Sequence, residues 1–69
     1  MTQNEKVLRH IETFGKITTM EAFTEYGITR LSARIWDLRH DGHAIAAKNK
    51  TSVNRFGEKV TFAEYRLVG

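Results

Sequence analysis

The 69 residues are 41% hydrophobic, contain no cysteine and carry 11 Lys and Arg against 8 Asp and Glu. A chain this short buries only about 60% of its unfolded surface, so one core and one domain over residues 1–69 are expected, held by packing or association rather than by disulfides or a thiolate zinc site. No apolar run nears the roughly 20 residues of a bilayer span, and the start MTQNEKVLRH lacks the apolar stretch of a signal peptide, which points to the cytoplasm and away from a membrane.

In chain order, TQNEKVLRHIETFG sets Val7, Leu8, Ile11 and Phe14 at helical spacing, with Thr2 or Asn4 as N-cap and Gly15 as the stop. After an extended piece at 16–18, Thr18 and Glu21 have the spacing of a capping box. Met20, Ala22, Phe23 and Tyr26 then give a short second helix its apolar surface, and Gly27 ends it. Ile28 buries the turn, and Thr29 is placed to cap a third helix from about Arg30 to Asp41, closed by Gly42. HAIAAKNKTSV and VTFAEYRLV are strand-like runs on either side of the turn cluster NRFGEK, hence a hairpin. Its second strand is expected to turn Thr61, Ala63, Tyr65 and Leu67 toward the core, because Val60, Phe62, Glu64 and Arg66 form a mixed face.

The charge is uneven. Residues 1–29 carry three basic and four acidic side chains, and residues 30–69 carry eight and four. Positive potential in the second half suits a polyanionic partner. On the third helix, at about 100° per residue, Leu31, Ile35 and Leu38 fall within about 60° of one another and define an inward line. Arg30, Ala33, Trp36, Asp37 and His40 spread over the opposite pole, with Ser32, Arg34 and Arg39 on the flanks. Arginine forks grip guanine edges or phosphates, a hydroxyl serves either, and a small alanine admits a close partner. A competing reading is that Arg34 pairs with Asp37 or Asp41 as ordinary surface charge, and that Trp36 packs under the hairpin or anchors an interface. Lys48, Lys50, Arg55 and Lys59 cluster around the hairpin, where they would reach a backbone or minor groove or else shield a strand edge from aggregation.

The run TTMEAFTEYGITRLSARIWDLRHDGHAI followed by a basic hairpin resembles the winged helix-turn-helix plan, an α+β fold of three helices and a two-stranded wing, with 16–18 available as a short first strand. It looks most like the small helix-turn-helix proteins of bacteriophages and prophages. Gly27 and Ile28 match the turn, Leu31, Ile35 and Leu38 the buried stripe, and Gly42 with Ile45 the start of the wing. The resemblance implies a transcriptional regulator or recombination directionality factor working on duplex DNA in the bacterial host cell, with the third helix in the major groove and the wing on the backbone. The residues expected at the DNA are Thr29, Arg30, Ser32, Ala33, Arg34, Trp36, Arg39, His40, Lys48, Lys50, Arg55 and Lys59. Homodimerisation or cooperative assembly on DNA is expected of so small a unit. The rival is a phage-encoded inhibitor that docks on a host protein through the same surface.

Other chemistry is thinly represented. His40 and His43 have an H-x-x-H spacing but no completing ligands, so neither a metal nor another cofactor is expected. His10 is expected in solvent, and Glu21 with Glu25 reads as capping and solubility. There is no phosphate loop or nucleophile turn, so an enzyme is not expected.

Overall fold

The computed structural model describes residues 1–68. Its elements run α1 (Gln3–Phe14), β1 (Ile17–Thr18), α2 (Thr19–Tyr26), α3 (Leu31–His40), β2 (Ile45–Val53) and β3 (Lys59–Leu67). The first two helices begin on reciprocal capping boxes. Thr2 and Thr18 accept from the backbone N–H of Glu5 and Glu21, whose carboxylates accept in return from the Thr backbone N–H. Both end on a left-handed glycine, Gly15 at φ 87° and Gly27 at φ 68°.

Helix α3 starts differently from the sequence expectation. Arg30, not Thr29, occupies the N-cap position, and no side chain bonds the first turn. The three-residue link Gly27–Thr29 is centred on Ile28, which is buried and whose N–H donates to Ala22 O.

Nine buried residues form the core: Val7, Ile11, Ile17, Ala22, Ile28, Leu31, Ile35, Leu38 and Ile45, with Leu8, Tyr26 and Tyr65 packed around them. The α3 stripe lies inward as its spacing requires. On α1 and α2 the apolar faces are narrower than expected: Phe14, Met20 and Phe23 are exposed, because two short helices meet the core along only one row of side chains. His10 is not in solvent. It follows Val7 by three positions on the inward row, is 6% exposed, and places Nδ1 2.8 Å from the Tyr26 hydroxyl.

The sheet is three-stranded and antiparallel in the order β1-β3-β2, so the extended piece does supply a first strand. Ile17 pairs with Tyr65 and Thr18 with Glu64, while β2 and β3 pair from Ile45–Leu67 out to Val53–Lys59. Directly paired residues share a face. Ile17, Tyr65, Ala47, Ile45 and Leu67 are therefore on the core side, and Thr18, Glu64, Lys48, Phe62 and Lys50 on the other. Tyr65 packs inward as expected, but Thr61 and Leu67 stay exposed. The most buried residue of β3 is Glu64, on the face opposite the core and 1% exposed. β1 covers only two positions of β3, so the distal hairpin continues as a free two-stranded ribbon.

Candidate nucleic-acid interface

With Leu31, Ile35 and Leu38 only 1–3% exposed, the remaining faces of α3 are set by helix geometry. Arg30, Ser32, Trp36, Arg39 and His40 are exposed, Ala33 and Arg34 half-buried, and Thr29 is exposed in the turn before the helix. Arg30 makes no ion pair or side-chain hydrogen bond among the described residues, and it stands beside first-turn N–H groups that no side chain caps.

Arg34 is engaged elsewhere. Its guanidinium lies 3.2 Å from Asp37 Oδ2 and donates to Gln3 Oε1, and Asn4 Nδ2 donates to the same Asp37 oxygen. These contacts lace α3 to the start of α1 and occupy the Arg34 guanidinium, whereas Arg30 stays without a partner. Arg39 donates Nε–H to Ile45 O at 3.0 Å, which fixes the end of α3 to the start of the hairpin, and the residue stays exposed.

Trp36 does not pack beneath the hairpin. It is 59% exposed, with its ring stacked on His40 at 3.6 Å and 25°. His40 Nδ1 is 2.9 Å from Trp36 O, a one-turn contact that fixes both rings as a plate on the outer face.

The hairpin cations divide into two groups. Lys48 and Lys50 project from the face opposite the core, around Glu64, whose carboxylate accepts from Arg66 and lies 3.4 Å from Lys50 Nζ. The Arg66 hydrogen bond holds the Glu64 carboxyl below its ordinary range against the cost of burial, and Lys50 and Lys16 add to the effect. Arg55 and Lys59 are exposed at the far end of the ribbon. Glu64 and Arg66 carry no mark in the sequence of the role that they take here. The signal is indirect, since a carboxylate at 64 must face a basic neighbour once the register pairs it with Lys48, but the register itself is not readable. Among the described residues no three His, Cys, Asp or Glu side chains gather as a metal-binding group, and no helix is long and apolar enough to cross a membrane.

Two helices joined through a left-handed glycine, the second with an open polar face, followed directly by a projecting antiparallel ribbon, define the winged helix-turn-helix class. A family model described as a winged helix-turn-helix domain matches residues 2–69, and the chain belongs to that family. Neither the curated proteins nor the solved structures yield a match.

Proposed function

We propose that the protein binds duplex DNA, with α3 in the major groove and the ribbon against the flanking backbone. The observation that carries this reading is the outer face of α3, where Arg30, Ser32, Arg39, His40 and Trp36 are exposed on a helix whose opposite side is locked into the core. Arg30 and Ser32, at the helix start, serve base edges or the adjacent phosphates. Ala33 leaves room for close approach, and Thr29 is available to a phosphate from the turn. Lys48, Lys50, Arg55 and Lys59 supply backbone contacts, and Arg34 acts chiefly by fixing α3 against α1.

The biological role that fits is a phage-type transcriptional regulator or recombination directionality factor, acting in the cytoplasm of a bacterial host as a dimer or cooperative array. Salt dependence of binding to random-sequence duplex tests the reading. Neutralising about five phosphates gives a slope of log K against log salt of about −4.5. A flat dependence sinks it and favours the second reading, an inhibitor of a host protein, for which the exposed Trp36–His40 plate is the supporting feature. Selection from a random oligonucleotide pool then gives the site, and a palindromic product identifies a dimer.

A further inference from the structure

The tip of the ribbon is closed by backbone and Asn54 side-chain hydrogen bonds and carries a large apolar side chain in water. Between the last ladder pair, Val53–Lys59, the chain turns through Asn54, Arg55, Phe56, Gly57 and Glu58. Asn54 N–H donates to Glu58 O at 2.9 Å and Gly57 N–H to Asn54 O at 3.0 Å. The Asn54 Oδ1 accepts from the backbone N–H groups of Phe56 and Glu58 at 2.9 and 3.0 Å. Gly57, at φ 78°, takes the left-handed conformation that closes the loop. Asparagine in the first position of a β-turn and glycine in the fourth are what the turn chemistry requires.

Neither Arg55 nor Phe56 is needed for the turn. Phe56 is 79% exposed, more than any other large hydrophobic side chain among the described residues. A rigid loop thus holds an aromatic ring in water at the far end of a lever, beside a guanidinium, with Lys59 at the start of the next strand.

Resting on the DNA-binding reading above, we propose that Phe56 is an apolar wedge for the minor groove. On this reading, Arg55 enters the groove and the Phe56 ring inserts partly between neighbouring base pairs, unstacking one step and bending the duplex away from the wing. The chemistry of the tip selects this partner. The cations beside the ring match the negative potential of a narrow groove, and apolar side chains carried on a protruding element kink DNA by entering flexible steps such as TA. The turn's hydrogen bonds fix the backbone that carries the ring, so the backbone share of the ordering cost is met before binding. Specificity would then include a position that no hydrogen bond reads.

The test uses the full chain and a 30-base-pair duplex bearing end-to-end energy-transfer dyes, in a random-sequence form and in a form centred on TA steps. Phe56→Ala should weaken binding to the TA duplex by about tenfold, leave the salt slope unchanged and reduce the bend, whereas Phe56→Leu retains most of both. Arg55→Ala should instead lower the salt slope by about one phosphate. Wild-type binding with a steep salt slope, combined with equal affinity and bend in Phe56→Ala, overturns the wedge and leaves the DNA reading standing. A wild-type protein with a flat salt dependence overturns both. The melting temperature of Phe56→Ala should match the wild type, because the side chain touches no core residue.

Discussion

Helix α3 and the distal hairpin would carry the two halves of the proposed interface, but they are anchored by different means. α3 buries three side chains in a core shared with α1, β1 and the start of β2, so its outer face has a fixed orientation relative to the body. Beyond Glu64 the ribbon buries almost nothing. Its shape comes from the antiparallel ladder and from the Asn54 turn. A binding surface can thus be rigid either by packing or by backbone hydrogen bonding, and the two respond to mutation in opposite ways. Substitutions beneath α3 should damage fold and binding together, whereas substitutions on the ribbon should alter binding alone.

The largest effect is expected where α3 meets the core. Ile35→Ala removes a side chain that is 1% exposed and should cost about 2–5 kcal/mol, a large share of the roughly 5–15 kcal/mol that holds a small domain folded. Urea unfolding followed by circular dichroism measures it, and DNA affinity should fall in step with the folded fraction. A loss below about 1 kcal/mol would mean that the core collapses around the gap and that packing does not fix α3.

Next in size is Arg30→Ala, which removes no hydrogen bond or ion pair among the described residues. Affinity for the selected DNA site should drop by about 1–3 kcal/mol, with the melting temperature unchanged. Arg34→Ala should show the reverse pattern, since it breaks the Asp37 and Gln3 contacts: a shifted melting temperature and a smaller loss of affinity. If Arg34→Ala weakens binding more than Arg30→Ala does, the division between the two arginines is wrong.

A smaller effect, about 1 kcal/mol, is expected from Thr18→Ala, which removes the cap of α2. Because β1 and α2 meet at this residue, thermal melting should register the loss without any change in the behaviour of the ribbon.

The legibility of the sequence follows the same division. The helices could be read because their signals are local: a threonine three residues before a glutamate, glycines after apolar runs, and Leu31, Ile35 and Leu38 at helical spacing. The residue type of Thr29 points to a cap, but the tight turn from Gly27 places Arg30 there instead. His10 is polar by type, but it shares the inward row of Val7 and Ile11, and what makes its burial tolerable, the Tyr26 hydroxyl, comes from sixteen residues away. The partition of cations was hidden for a related reason. Which lysines surround Glu64 depends on strand register, and whether Arg34 is free depends on where the start of α1 lies. Local chemistry announces elements, but their contacts are set by tertiary geometry.

The smallest predicted effect concerns Glu64, where the ribbon joins the body. Its carboxyl lies below the ordinary value of 4.5 chiefly because Arg66 donates to it, with Lys50 adding to the effect. A depressed carboxylate binds its proton less readily when folded than when unfolded. The stability it supplies is therefore complete above the unfolded value and is lost as pH falls through the folded one. Arg66 and Lys50 are 50% and 39% exposed, so water screens both partners and the effect at neutral pH should be modest. Glu64→Gln keeps an oxygen for Arg66 but cannot titrate. Its melting temperature should lie slightly below the wild type at pH 7, and the gap should narrow or reverse as the pH is lowered through and below about 4.5. Glu5 is also depressed, through its hydrogen bonds to Thr2, and remains in both proteins, so each should keep some acid sensitivity. A gap that stays constant from pH 7 to pH 3 would show that the charge of Glu64 does not hold the base of the ribbon. In that case the ladder alone would have to account for its rigidity.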